Sequence, residues 1–393
     1  MSATSDLLKK TFGSNLRQSG IFIAFVVIVI AFALMHPSFL SANNLTNIVL
    51  QYSYILVLAI GMLFVIVLGQ IDLSVGSIVA LTGSVSAVLV IKQGLPWWVG
   101  VLAALAVGLL AGAFQGFWVA YVGIPGFIVT LAGMMMFRGL TYKVLDNVSL
   151  SPFPKQYYNI ANGFLNGLFG GYGVDVFTLV IFGIGVVGYI YFAWKARADK
   201  MKYGQDVESI TVFAIKMIAI AAVVMAFAYK LSTARGLPIV LIILAILILF
   251  YGFFAQQTVF GRDVYAIGGN KTAASLSGIN VKTVSFLVYV NMGFLAAVAG
   301  ILYSARMNGA QPSAGNMFEL DAIAACFVGG ASTTGGVGRV SGALIGGLVM
   351  AVLSNGMQLM GATTSTQQIV KGAVLLLAVA FDVYNKRHSA VAA

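Results

Sequence analysis

Apolar runs follow one another along nearly the whole chain, separated by short polar gaps, and most are close to the twenty or so residues that cross a bilayer at 1.5 Å per residue. On that ruler, spans fall at 19–36, 46–68, 75–92, 97–121, 125–144, 176–194, 209–230, 237–256, 283–304, 319–335, 341–360 and 367–384. The pattern predicts an all-α polytopic membrane protein of about twelve transmembrane helices, forming one domain over 1–393. The segment 319–335 is short and ends in glycines, so it reads either as a crossing or as a re-entrant piece buried among its neighbours. Residues 145–175, rich in Asn, Gly, Pro and Tyr, form a long outer (periplasmic) loop. The pair of spans within 176–230 behaves as an inserted module, because removing it leaves ten spans in unchanged orientation. The longest polar interruption of the second half lies within 257–282 and includes FGRDVYAIGGNKTAASLSGINVK, Phe260 to Lys282. Lying between two strongly apolar spans, it must sit in water, where it offers a short, structured, basic docking surface.

Charge fixes the orientation. With both ends inside, inner loops hold 13 of the 22 Lys and Arg residues, outer loops six, and three (Arg138, Lys216 and Lys371) fall within spans. Basic loops stay cytoplasmic, so the chain is expected to run N-in and C-in. Trp97, Trp98, Trp118 and Trp194 all fall at span ends, the headgroup level preferred by amphipathic rings. Composition agrees: 8% charged residues, against about 25% for a soluble chain, cannot cover a globular surface in water. Lipid is the main solvent. The net charge of +11 does not indicate nucleic-acid binding, since no basic cluster is interleaved with aromatics on a water-facing segment. Cys326 has no partner, and with His36 and His388 at span ends no metal constellation is formed. Lys9, Lys10 and Arg17 ahead of Ile21–Leu34 resemble a signal peptide, but equally apolar spans follow and no small-x-small site succeeds Leu34. A retained first span is expected.

Few residues could carry chemistry. In GQIDLSVGS, Gly69 to Ser77, Asp72 is the only acid between Asp6 and Asp146. It either caps the following helix near Val75 and Gly76 or lies in a solute path, where a carboxylate at membrane depth belongs. In the segment from Phe318 to Gly342, Glu319 and Asp321 lead into a short helix whose positive end suits them. Gly329, Gly330, Gly335, Gly336 and Gly338 then break it, as transporters break helices near their substrates. Gly108, Gly112 and Gly116 form one small-residue face, repeated at Gly342 and Gly346, suited to internal packing or a dimer seam. Lys216 and Lys371 are expected to snorkel to the interface. The run Ile267 to Thr272 fails as a phosphate-binding loop because Asn270 replaces the required glycine, and Gly336 to Ser341 lacks the third glycine of the dinucleotide fingerprint. No paired-carboxylate or Ser/His/Asp site appears, so the chain is not expected to be an enzyme.

Five stretches, IDLSVGS (Ile71–Ser77), IPGFIVTLAGMMMFRGL (Ile124–Leu140), FGRDVYAIGGNKTAASLSGINV (Phe260–Val281), Ala310 through Gly338, and IVKGAVLLLAVAFD (Ile369–Asp382), resemble in order the permease subunits of bacterial monosaccharide ABC importers. The extra helical pair places the likeness with the longer, xylose-like subgroup. The resemblance implies a multi-pass protein of the bacterial inner membrane that imports a monosaccharide by alternating access. Its implied partners are a second copy of the permease, a periplasmic sugar-binding protein and a cytoplasmic ATPase, in this family usually one chain with two nucleotide-binding halves. ATP and Mg would be held by that ATPase and no cofactor by this chain. Phe260, Gly261, Arg262, Gly268, Gly269 and Asn270 match the family's coupling motif, with Arg262 as the charged contact. The path is expected to be lined by Asp72, Ser74, Thr130, Asn291, Ser313 and Asp321 without a tight sugar site. The rival class, a proton-coupled secondary sugar transporter, would need Asp72 paired with Lys216 or Arg138.

Overall fold

A computed structural model describes residues 16–205 and 207–391. Lys9 and Lys10, counted above among the inner bases, lie outside the described residues. Long apolar stretches without proline become helices because no water is available to satisfy backbone groups in lipid. The helices, including short polar ones between the spans, are α1 (Leu16–Met35), α2 (Ala42–Val67), α3 (Val75–Ala87), α4 (Trp97–Phe117), α5 (Gly126–Leu145), α6 (Lys155–Asn162), α7 (Val176–Lys202), α8 (Ile210–Ala234), α9 (Ile239–Gln257), α10 (Val259–Gly269), α11 (Lys271–Leu276), α12 (Val281–Met307), α13 (Phe318–Val328), α14 (Val340–Leu359) and α15 (Thr364–Val391). Wider π turns, Val88–Lys92 and Trp118–Val122, extend α3 and α4.

Nine helices among the described residues are long and apolar enough to cross a membrane, and Phe22–Met35 and Thr364–Ala380 are shorter apolar segments. The protein is an all-α polytopic membrane protein. The segment 319–335 does not form one continuous spanning helix. α13 has 11 residues, reaching about 16 Å at 1.5 Å each, roughly half the hydrocarbon thickness. Gly329 and Gly330 end it.

α2 and α12 are central: 83% and 61% of their apolar windows are buried, against 6% for α7 and 11% for α8. Packing onto α12 is made by glycines. A Cβ on Gly108 would fall 2.5 Å from both Ala297 Cβ and Gly293 O, and one on Gly112 2.3 Å from Tyr289 O. The Gly108–Gly116 face is therefore spent inside the subunit, on α12, and is not a dimer seam. Gly342 and Gly346 likewise meet Gly329 and Ala325. Asn44 and Asn355 exchange two amide hydrogen bonds of 2.8 and 2.9 Å, tying α2 to α14.

The segment 145–175 is anchored to the ends of these helices. Tyr157 of α6 is fully buried and shares a 3.0 Å hydrogen bond with Ser304. Arg306 donates to Asn162 Oδ1 at 2.6 Å. Strand β1 (Phe164–Leu165) pairs antiparallel with β2 (Leu237–Pro238). Asp175 caps α7, accepting from the Thr178 and Gly167 backbone N–H groups at 2.9 and 2.8 Å.

Candidate translocation and coupling site

Two helices that each begin after an extended segment, α3 and α13, meet inside the bundle. After α2, Gly69 takes a left-handed conformation (φ 80°) and the chain turns back on itself. The returning strand lies along α5: Gly126 N–H donates to Gln70 Oε1 at 3.1 Å and Thr130 Oγ1 to Ile71 O at 3.3 Å. Asp72 Oδ1 then accepts from Ser74 N–H at 2.8 Å and Ser74 Oγ at 2.7 Å, and Ser74 Oγ accepts from Gln115 Nε2 at 2.6 Å. Asp72, Ser74, Gln115 and Thr130 are all fully buried. Asp72 thus shapes the turn through Ser74, the N-cap residue of α3, and does not bond the N–H groups of Val75 or Gly76, as the capping alternative required. Its Oδ2, Gln115 Oε1 and the Tyr289 hydroxyl find no hydrogen-bond partner among the described residues.

The second extended segment leads into α13. Beyond α12, Asn308 is left-handed (φ 54°) and Ala310 exchanges two 2.9 Å backbone hydrogen bonds with Leu150. Arg138 of α5 reaches across to donate to the carbonyls of Pro312 and Ala314, at 3.0 and 2.5 Å. The chain then starts α13 with Glu319 and Asp321 in its first turn. The two helix starts touch backbone to backbone. A Cβ on Gly76 would lie 2.2 Å from Gly315 O and 2.4 Å from Glu319 Oε2, and one on Gly315 (φ 72°) 2.0 Å from Gly76 O. Two partial positive helix ends are therefore brought together beside three carboxylates, the arrangement by which broken helices build polar sites at membrane depth.

The remaining sequence-predicted path residues are spread around this junction. Asp321 is paired with Lys371 of α15 at 3.0 Å. Lys371 therefore does not snorkel; an ion pair compensates its burial. Lys216 also pairs, with Glu208 at 3.6 Å, on a more exposed surface. Ser313 lies exposed on the link between α12 and α13. Asn291 accepts a hydrogen bond from the Tyr251 hydroxyl, joining α12 to α9. Sequence reasoning missed Gln115 as a member of the site, although a lone amide within the apolar run of α4 was a usable signal. The contacts of Gly76 and Gly315 carried none.

At one end of the bundle, 257–282 folds as helix–turn–helix. Thr258 caps α10 by accepting from Gly261 N–H at 3.1 Å, and Asn270 caps α11 by accepting from Ala273 N–H at 3.0 Å. Gly261 is required there, since a Cβ would lie 2.4 Å from Ala255 O, while Phe260 packs on Phe254. Val264, Ile267 and Ala274 face inward; Arg262, Lys271 and Leu276 face out. Gly268 is wedged in place: a Cβ on it would lie 1.7 Å from Val67 O and 2.7 Å from Gly336 N. Gly336 N–H donates to Val67 O at 2.8 Å, and the Tyr265 hydroxyl donates to Gly338 O at 2.8 Å. Gly269 has open space around it. α10 thus grips the end of α2 and the glycine link that follows α13.

Comparison with known proteins decides the family. Residues 44–379 match the family described as the permease component of a branched-chain amino acid transport system. The chain belongs to this permease family. It is 40% identical over 374 residues to the xylose transport system permease protein of Haemophilus influenzae, covering 95% of this chain and 98% of that one. The Escherichia coli xylose transport system permease protein is 41% identical over 90% of this chain and 88% of its own. The Escherichia coli ribose import permease protein is 35% identical, over 93% of this chain and 92% of its own. No solved structure matches the chain. Membership makes it a transport-system permease component, a multi-pass protein of the inner membrane.

Proposed function

We propose that this chain is the membrane subunit of an ATP-driven importer that carries a monosaccharide, xylose or a similar pentose, by alternating access. The observation that carries the reading is the 40% identity, over 95% of the chain, to a xylose transport system permease protein. Twelve crossings with both termini in the cytoplasm are supported by the charge asymmetry. Two copies form the path. A periplasmic binding protein delivers sugar from one side and a separate ATPase docks on α10 and α11 from the other, holding ATP and Mg.

Supporting the mechanism is a continuous line of contact. The outer face of α10 carries Arg262 toward the ATPase, and its inner face is locked through Gly268 to Val67 and Gly336. The link 331–338 continues into α13, whose start abuts α3 at Gly76 and Gly315. Closure of the ATPase halves displaces α10, the link carries that shift to α13, and the junction of α3 and α13 changes the side to which the path opens. Ser313 and the junction carboxylates line that path, which binds sugar weakly because a ligand shifts an equilibrium only by its differential affinity.

Proton coupling is not favoured. Arg138 is committed to the carbonyls of Pro312 and Ala314 and Lys216 to Glu208, so neither partners Asp72. The test is Arg262→Glu, scored by xylose uptake and by pull-down of the ATPase. Loss of both with normal membrane insertion supports the reading; unchanged uptake and binding refute the docking face.

A further inference from the structure

The inserted pair α7–α8 has no part in the line of contact just described, yet it is built around a groove. A groove of about 540 Å³ lies between α7, α8 and α9 and a smaller one of about 300 Å³ between α7 and α8, and the two share Ile190, Met217 and Ala221. The larger is walled by apolar side chains, with room left by Gly185, Ala221 and Ala245. The smaller runs to Trp194 and Phe213, near the end of α7 where Lys195, Arg197, Lys200 and Lys202 cluster beside Lys216 of α8. Asp199 and Glu208 only partly offset these five bases. Helix connectivity puts this end on the same side as α10 and α11.

The basic end is ordered around the groove. Arg197 donates to Glu208 O at 2.7 Å and lies 5.6 Å from the centre of the Phe213 ring, while Trp194 meets the same ring edge-on at 5.9 Å. An apolar groove opening onto a basic, aromatic-lined rim matches an amphiphile with a negative head. A spanning peptide helix fits less well: at 10–12 Å across and 30 Å long it sweeps roughly 2,400–3,400 Å³, about three to four times the two grooves together.

We propose that this groove binds an anionic phospholipid of the cytoplasmic leaflet, with an acyl chain along α7–α9 and the phosphate at the exposed bases Lys195, Lys200 and Lys202 at the end of α7. Basic clusters at helix ends recognise such headgroups by the same electrostatics that draw polybasic segments to anionic membranes. The site is independent of which solute is carried. It also gives the insert a role, holding an annular lipid in a fixed place beside α9, which leads directly into α10.

The test uses purified full-length protein, stripped of lipid and titrated with phosphatidylglycerol or chain-matched phosphatidylcholine, with bound lipid counted by native mass spectrometry. Phosphatidylglycerol should bind preferentially, and the preference should fall about five-fold for each base neutralised in Lys195→Gln, Lys200→Gln and Lys202→Gln. Gly185→Leu should reduce binding of both lipids, and the site tolerates it, since a Cβ there meets nothing within 4 Å. Equal binding of the two lipids, or binding indifferent to both sets of substitutions, overturns the proposal. So does a stoichiometric polypeptide adduct that lipid does not displace.

Discussion

Gly268→Ala isolates the link between the docking helix and the broken helix. The added Cβ would sit 1.7 Å from Val67 O and 2.7 Å from Gly336 N, backbone atoms on two other segments, so α10 or the 331–338 link must shift. Overpacking of this kind costs about 1–3 kcal/mol, and separating Gly336 N from Val67 O, now 2.8 Å apart, loses a further ~0.5–1.5 kcal/mol. Better helix propensity returns up to about 1 kcal/mol. The net is about 2 kcal/mol against the observed contact, roughly a thirty-fold loss of its population. The exposed face with Arg262 and Lys271 is untouched, so the ATPase should still bind while ATP-driven uptake falls at least ten-fold. Gly269→Ala is the internal control, because a Cβ there meets nothing within 4 Å and only the propensity gain remains. Wild-type uptake by Gly268→Ala, or equal damage by Gly269→Ala, would refute the transmission route.

Three further outcomes follow from the same contacts. Asp321→Asn or Lys371→Gln alone leaves a mostly buried charge without its partner and should cost about 2–3 kcal/mol, less than the 3–5 of a fully buried pair; the double substitution should recover much of the melting temperature measured in detergent. Gly112→Val should prevent close approach of α4 to α12, where a Cβ already falls 2.3 Å from Tyr289 O, and lower the yield of inserted protein several-fold. Burial alone pushes the Asp175 carboxyl up, but hydrogen bonds from Thr178 and Gly167 outweigh it and hold it below the usual carboxylate range. Because the folded-state value is depressed, this cap is fully stabilising above the unfolded value of about 3.9 and is lost as pH falls through the folded one. Hydrogen exchange over 167–178 should therefore rise below pH ~4, and Asp175→Ala should raise it at neutral pH.

The spans were legible because lipid leaves the chain little choice: apolar runs such as 46–68 and 237–256 return as α2 and α9 within a few residues. α7 ran past its predicted end at 194 because its last turns are charged, and hydropathy ends where the bilayer does, not where the helix does. The broken crossing at α13 was visible only as an ambiguity, since glycines after a short apolar run suit both a turn and a span end. Asp72, Ser74 and Thr130 stood out by polarity in apolar surroundings, and the fold gathers them. Asn291 stood out for the same reason, and its bond from Tyr251 of α9 is a contact that polarity alone does not encode. Gly268 was noticed as part of a motif, but its contact with Val67 joins segments two hundred residues apart, and no local pattern encodes that.

The most direct test of the account is xylose uptake into proteoliposomes containing this permease, its ATPase and its binding protein. Uptake should require internal ATP and the binding protein, and should continue when a protonophore collapses the proton gradient. Uptake that proceeds without ATP and stops with the protonophore would contradict it.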